Sequence, residues 1–303
     1  MIGLGLGLAL VLTSSCGEGD SALVDEGDAV VFPSDISNSI LFFSDRSGNG
    51  DLWLVDPSDG VISQVTLHGG NDYEPDWTSD HATIVFSSNR TNSTADLFLL
   101  TVDDGVEVPL TNTPDSVDDY SNLSPDGSTV VFQRTFTNQS PATAEIVVID
   151  IATGVERRIT DNADWDSTPS FSPDGETIIF ESDRTGTYEL WTVSLDGSNA
   201  TQLTESPVGT VNSEARFSQD GAWIIFTTRA PGGNGDLFLL EAGGGQPIRF
   251  TEGSGSDGHG EFSPDGESIV FHRDGDIYLV DADGKNLRQL TSGLSRDLDP
   301  HWH

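Results

Sequence analysis

The sequence has almost no lysine and only one cysteine. Its 303 residues include 50 Asp or Glu against 13 Lys or Arg, a formal net charge of −37. Lys285 is the single lysine. Such a surface argues against nucleic-acid backbones and anionic membrane surfaces as partners, because both repel negative charge. With Cys16 as the only cysteine, no disulfide can form within the chain.

Long apolar runs, helical periodicity and common catalytic motifs are also missing. The apolar run at residues 2–12 is shorter than the roughly 20 residues that span a bilayer. No stretch repeats its apolar residues with the helical period, and there is no G-x-S-x-G nucleophile elbow. The six histidines do not show the spacing of a metal-binding motif. These absences favour a binding protein over an enzyme.

The N-terminal residues indicate export. Residues 1–15 are apolar and uncharged, as in a secretory signal. They lead into Cys16, and Leu12-Thr13-Ser14-Ser15-Cys16 resembles the lipobox of bacterial lipoproteins, whose cysteine is lipidated. Residues 16–34 are polar and acidic and are interpreted as a flexible tether. We expect an extracytoplasmic protein, lipid-anchored in the cell envelope through Cys16, or secreted if Cys16 is not lipidated.

A unit of about 45 residues recurs six times over residues 35–303. Each unit has a Ser-Pro-Asp-Gly turn or a variant of it, a short apolar strand after the turn, an acid followed by another strand, and a closing threonine. The strand after the turn contains a phenylalanine near its end, and these lie 44, 46, 48, 46 and 45 residues apart: Phe42, Phe86, Phe132, Phe180, Phe226 and Phe271.

This period, with four short strands per unit, predicts an all-β fold, a six-bladed β-propeller of four-stranded blades. The turn aspartates are interpreted as turn formers, since Pro, Asp and Gly each favour a tight turn. The first unit lacks its first strand, and residues 297–302 repeat the pattern of residues 72–77. We therefore expect the C-terminal strand to complete the first blade.

The units share the pattern P-x-[FW]-S-P-D-G-x-x-I-x-F-x-S-D-R, followed by D-L-[WY] and L-T. This pattern resembles the repeat of TolB-type propellers, which are relatives of the WD-repeat propellers, over residues 35–303. TolB carries an α/β domain before its propeller, whereas a signal and a tether are predicted here. The resemblance implies a protein or peptide partner bound at the channel mouth.

One polar residue per unit stands five positions before the residue that ends the innermost strand. These are Asp72, Asp118, Asp166, Asn212, Asp257 and Asp297. Innermost strands line a propeller channel, so these residues are candidates for binding at its mouth. Oxygen ligands suit Ca²⁺ or Mg²⁺, which makes the five aspartates candidate calcium ligands.

Arginines at the end of the second strand provide a competing, structural explanation. Each would lie between the channel residue and the acid that opens the third strand, in an acid–Arg–acid bracket. The arginines are Arg46, Arg90, Arg134, Arg184, Arg229 and Arg273, and the third-strand acids are Asp51, Asp96, Glu145, Glu189, Asp236 and Asp276. A motif present in every blade indicates scaffold, so we favour the bracket over a metal ring.

Residues that differ between units are better candidates for function. Tyr73, Tyr120, Trp165, His259 and Arg296 are predicted on loops and strand ends around the acidic mouth. Aromatic side chains in such a funnel are typical of a binding site. We expect a monomeric module that binds a protein or peptide partner, cationic or bridged by a metal. The alternative is a glycan- or peptide-acting hydrolase or lyase that uses channel carboxylates, with or without a divalent metal.

The lipid anchor is directly testable. If Cys16 is lipidated, the wild-type protein should partition into the detergent phase of a membrane extract, because the lipid chains carry it there. Cys16→Ser should remain in the aqueous phase. Equal partitioning of the two proteins would show that Cys16 carries no lipid.

Overall fold

The computed structural model describes residues 32–33, 35–91, 94–139 and 142–302. The predicted signal, Cys16 and nearly all of the predicted tether lie outside these residues. Within the described ranges, no helix is long and apolar enough to cross a membrane. The strands form six antiparallel sheets of four strands each, which confirms the predicted six-bladed propeller.

The blades follow one another along the chain. From the innermost strand outwards, the first blade contains β24 (Asp297–His301), β1 (Ile40–Ser44), β2 (Asp51–Val55) and β3 (Ile62–Gln64). The second contains β4 (Asp72–Trp77), β5 (Thr83–Ser88), β6 (Asp96–Thr101) and β7 (Val106–Pro109). The third contains β8 (Ser116–Leu123), β9 (Thr129–Phe136), β10 (Thr143–Asp150) and β11 (Glu156–Arg158).

The fourth, fifth and sixth blades have the same order. The fourth contains β12 (Asp166–Phe171), β13 (Thr177–Ser182), β14 (Glu189–Ser194) and β15 (Thr201–Gln202). The fifth contains β16 (Val211–Phe217), β17 (Trp223–Arg229), β18 (Gly235–Glu241) and β19 (Ile248–Arg249). The sixth contains β20 (Asp257–Phe262), β21 (Ser268–Arg273), β22 (Asp276–Asp281) and β23 (Arg288–Gln289).

The hydrophobic core lies between neighbouring blades. One cluster joins Leu52 and Leu54 of the first blade to Trp77, Ile84 and Phe86 of the second. The repeated phenylalanines are at most 1% exposed. Because both faces of each sheet meet a neighbour, the middle strands are apolar on both faces, as in Ile-Val-Phe of β5.

The C-terminal strand closes the ring, as the sequence predicts. β24 pairs with β1 through Leu41–His301, Phe43–Leu298 and Ser44–Asp297. The next residue, Trp302, is 7% exposed and packs with Ile40, Phe42 and Val270 of the first and last blades. One chain end therefore joins these two blades.

The repeated turn and threonine are structural. In the third blade, Asp126 Oδ1 accepts hydrogen bonds from Ser124 Oγ at 2.7 Å and from Ser128 N at 3.0 Å, and Gly127 has φ of 69°. The aspartates are thus turn formers. Each closing threonine accepts a backbone N–H from the third strand at 2.9 to 3.0 Å: Thr66, Thr111, Thr160, Thr204, Thr251 and Thr291.

Candidate functional site

Each innermost strand contains a β-bulge, and this irregularity determines which side chains meet in the channel. The pairing of innermost and second strands shifts register within every blade, as between Tyr73 and Asp76 of β4. Three residue positions on the strand therefore have separate roles. We call them the arginine-bound ring, the bulge ring and the turn-side ring.

The arginine-bound ring consists of the six residues predicted at the channel mouth. They are at most 2% exposed: Asp72, Asp118, Asp166, Asn212, Asp257 and Asp297. Five arginines pair with the five aspartates at 2.5 to 2.8 Å: Arg46, Arg90, Arg134, Arg184 and Arg273. An arginine thus occupies the place that a metal ion would take, which favours the bracket over a calcium site at these residues.

The arginines are also stacked on the core. Each guanidinium lies 5.1 to 5.4 Å from the ring centre of its blade's phenylalanine. The fifth blade differs, because Asn212 replaces the aspartate and Arg229 is exposed. Asn212 instead donates to Glu189 Oε2 at 2.9 Å and accepts from Thr228 Oγ1 at 2.9 Å.

The outer half of the predicted bracket is different from what we expected. Where an arginine has a second carboxylate, that carboxylate belongs to the fourth strand, as in Arg90–Glu107 and Arg134–Glu156. Three third-strand acids, Asp96, Glu145 and Glu189, instead accept a backbone N–H from the connection to the next blade. Asp236 and Asp276 bond to side chains of the fourth strand. Glu145 Oε1, for example, accepts the N–H of Asn162 at 2.8 Å. The arginine side chain is long enough to reach across the third strand to a carboxylate of the fourth strand. Residue spacing along the sequence does not predict this contact.

The bulge ring lies two residues further along each innermost strand. Its members are all non-glycine residues with φ between 46° and 57°: Glu74, Tyr120, Thr168, Glu214, His259 and Asp299. Left-handed conformations cost such residues of order 1 kcal/mol each. Contacts join neighbouring blades here, since Glu74 Oε2 accepts Tyr120 N at 2.7 Å and Glu214 Oε2 accepts His259 N at 3.0 Å.

The turn-side ring lies two residues beyond the bulge ring, and its hydrogen bonds join neighbouring blades. Its members are Asp76, Asn122, Ser170, Arg216, Glu261 and His301. Asp76 Oδ2 accepts from Asn122 Nδ2 at 2.8 Å, and Asn122 Oδ1 accepts from Phe171 N at 2.8 Å. His301 Nδ1 lies 3.0 Å from Glu261 Oε2. A cavity of about 170 Å³ opens at this end, lined by Asn122, Ser170, Arg216 and Glu261 with aromatic residues around them.

Carboxylates crowd one side of the channel at the bulge ring. Burial, and then the charges of Asp119 and Asp299, raise the pKa of Glu74 well above its ordinary value. Burial and the neighbouring charge of Asp118 raise the pKa of Asp119 to about 8. Asp119 Oδ1 is buried and has no hydrogen-bond partner among the described residues. Adding a cation here would therefore relieve repulsion.

The other side of the channel contains histidines. His259 Nδ1 lies 2.7 Å from Asp299 Oδ1 and 3.7 Å from Glu214 Oε1. Burial opposes ionisation of Asp299, but the charge and hydrogen bond of His259 lower its pKa to about 2. The ring of His272 lies 6.0 Å from that of His259. The histidines show no metal-binding spacing along the sequence, but the fold brings His259 and His272 close together.

The sequence analysis missed Asp119, Glu181 and His272. Burial raises the pKa of Glu181 to about 7. Glu181 and His272 directly follow the buried phenylalanines Phe180 and Phe271, and they pair across with the residue before the bulge. An ionisable residue directly after the phenylalanine of an apolar strand is the signal that would have identified these two.

The predicted mouth residues are only partly brought together. Tyr73 and Arg296 line a pocket of about 450 Å³ that also includes Asp299. Tyr120 and His259 belong to the bulge ring. Trp165 is half-buried in a loop and donates its backbone N–H to Asp183 at 2.8 Å. Arg296 is exposed and pairs with Asp45 at 3.0 Å.

Known proteins share this repeat and this fold. The TolB beta propeller domain family matches residues 122–233. The structure of TolB from Acinetobacter baumannii has a TM-score of 0.75 and 22% identity, over 89% of this chain and 67% of that one. The chain is a six-bladed β-propeller, and residues 122–233 of it are similar to the TolB beta propeller domain. An oligogalacturonate lyase from Vibrio parahaemolyticus is similar in fold, with a TM-score of 0.61 and 18% identity over 83% of this chain and 74% of that one.

Curated relatives match only parts of this propeller. An uncharacterized protein of Agrobacterium fabrum is 28% identical over 51% of this chain and 54% of its own length. A TolB homolog of Chlorobium luteolum is 31% identical over 42% of this chain and 29% of its own length. The chain thus spans about half of the first relative and less than a third of the second.

The arginine bracket can be tested by mutation. Arg134→Met keeps the apolar stem over Phe132 but leaves the buried Asp118 unpaired. We expect a loss of about 3–5 kcal/mol in the free energy of unfolding, measured by urea denaturation. Arg229→Met in the fifth blade is the matched control, because Arg229 is exposed, and it should change stability by less than about 0.5 kcal/mol. Equal effects of the two would contradict the bracket.

Proposed function

We propose that this propeller is an extracytoplasmic binding module that takes a basic segment of a protein partner into the bulge-ring end of its channel. The observation that carries the proposal is the pair of channel carboxylates of Glu74 and Asp119. Burial raises the pKa of both, the charge of Asp119 adds to the shift of Glu74 and the charge of Asp118 to that of Asp119. Asp119 Oδ1 is unpartnered among the described residues. A lysine or arginine side chain of a partner would supply the missing cation.

The overall negative charge of the protein also favours a basic partner. A net charge of −37 attracts basic partners over long distances and speeds their association. The pocket that contains Tyr73 and Arg296 also includes Asp299 of the bulge ring, so a partner chain has apolar contact area next to a channel carboxylate. The likeness to the TolB propeller domain supports a protein-binding module.

The location and chain organisation remain proposals from the sequence. Residues 1–15 are proposed as a lipoprotein signal, residues 16–34 as a tether and residues 35–303 as the propeller. A tether of this length would hold a monomeric propeller close to the membrane to which the Cys16 lipid binds. In this arrangement the membrane is contacted only through the lipid.

The alternative is a hydrolase or lyase that acts on glycans or peptides. The likeness to oligogalacturonate lyase shows the fold alone, at 18% identity. An acidic channel repels acidic sugars. An activity screen on neutral and acidic glycans and on peptides separates the two functions, since turnover that is lost in Asp119→Asn would favour the enzyme.

The partner experiment uses a double variant and a charge-matched control. Wild-type protein should capture a partner from the native envelope, and Glu74→Gln/Asp119→Asn should bind the identified partner at least tenfold more weakly. The control Asp103→Asn/Asp104→Asn removes two exposed charges far from the channel and should bind like the wild type.

The pH dependence of binding gives an independent check. The raised pKa of about 8 keeps Asp119 protonated at pH 6, so a cationic group must displace a proton to bind there. Affinity should rise between pH 6 and pH 8, by up to about tenfold per pH unit for each proton released. Calorimetry measures this, and an affinity that is independent of pH and unchanged in the channel variant would contradict the proposal.

A further inference from the structure

Two histidines and a carboxylate from three strands meet at one point of the channel wall. They are His259 of β20, His272 of β21 and Asp299 of β24. One nitrogen or oxygen atom from each lies within 4.8 Å of the others. The three residues come from the last blade and from the C-terminal strand that completes the first blade, so the group forms only when the propeller closes.

Glu214 borders the same space from the fifth blade. Its Oε1 lies 3.7 Å from His259 Nδ1. A Cβ atom placed on Gly258 would lie 2.6 Å from His272 Nε2 and 3.1 Å from Glu214 Oε2. Glycine at this position therefore keeps open a small space into which an imidazole nitrogen and a carboxylate oxygen both point.

The histidines are not fully satisfied by the protein. His272 Nδ1 is buried without a hydrogen-bond partner among the described residues. The side chains of His259 and Asp299 are only 7% and 16% exposed, and both residues are held at positive φ. A buried imidazole nitrogen without a partner is costly, and an ion bound at Nδ1 would satisfy it, whereas Nε2 is the nitrogen next to Gly258.

We propose that His259, His272 and Asp299, with Glu214 as a fourth ligand, bind a divalent first-row metal ion, and that Zn²⁺ is the ion the site fits best. Imidazole nitrogen with carboxylate oxygen is a ligand set for Zn²⁺, whereas Ca²⁺ and Mg²⁺ take oxygen ligands. Tetrahedral Zn²⁺ places its ligand atoms roughly 3.3 Å apart. Small rotations of the two imidazole side chains would bring the group to that spacing.

This site is distinct from the arginine-bound ring and from the carboxylates that we propose for partner binding. It uses none of Asp72, Asp118, Asp166, Asp257 and Asp297, and it does not include Glu74 or Asp119. An ion here would place two positive charges among Asp299 and Glu214 and would bridge three blades. Its presence can therefore be tested without knowledge of a partner.

The experiment is metal binding by the purified propeller. Zn²⁺ is titrated calorimetrically in excess Ca²⁺, which occupies the exposed carboxylates and leaves a histidine site free. We expect one Zn²⁺ per chain and an increase in melting temperature on binding. Co²⁺ in the same site should give the visible absorption of a low-symmetry, nitrogen-containing site, which an all-oxygen surface site does not give.

Three variants assign the site. His272→Gln and Asp299→Asn should each weaken Zn²⁺ binding by about a hundredfold or more, since loss of even an outer-shell partner costs 10- to 100-fold. His68→Gln removes an exposed histidine outside the channel and should bind Zn²⁺ like the wild type. Far-ultraviolet circular dichroism of each variant shows whether it is folded, and Glu214→Gln replaces any that is not.

Two results would overturn the proposal. One is the absence of a one-to-one Zn²⁺ complex in excess Ca²⁺, in which case His259 and Asp299 form only an ion pair. The other is a complex that His68→Gln weakens as much as His272→Gln does, which would place the ion on the surface.

Discussion

The propeller depends on an arginine that pairs with a buried aspartate of the innermost strand. In five blades this arginine lies over the core phenylalanine and binds the aspartate at 2.5 to 2.8 Å. The pair links the first and second strands of a blade at the end where the channel opens. Because removing one member leaves an isolated buried charge, the sequence must keep both. The fifth blade lacks the pair and replaces it with amide and hydroxyl hydrogen bonds of Asn212.

Because the aspartates are paired with arginines, the residues of the bulge ring determine the chemistry of the channel surface. These have left-handed backbone conformations, and their side chains vary around the ring, from Glu74 to Tyr120 to His259. A six-fold scaffold thus carries an asymmetric lining, with carboxylates on one side and histidines on the other. Binding specificity requires such asymmetry, which a ring of identical acids would not provide.

The fold could be predicted because the repeat is local. Turn chemistry and the phenylalanine spacing are visible within one repeat, and six copies reinforce one another. The C-terminal strand is recognised because residues 297–302 repeat the pattern of residues 72–77. The site could not be predicted to the same extent, because it depends on register. The bulge changes which of Asp118, Asp119 and Tyr120 points into the channel. His272 lies 13 residues from His259 in sequence and joins it only through the hairpin between β20 and β21.

Asp118 and Asp119 give the most direct test of this division between scaffold and site. At pH 8, Asp118→Asn should lower the free energy of unfolding by about 3–5 kcal/mol, because Arg134 loses its buried partner. Asp119→Asn should raise it. With a pKa of about 8, the folded protein retains a proton on Asp119 that the unfolded chain loses near pH 4, so wild-type stability falls as the pH rises between these values. The advantage of Asp119→Asn should therefore grow from pH 5 to pH 8, as measured by urea denaturation. Changes of the same sign in both variants at pH 8 would contradict the account.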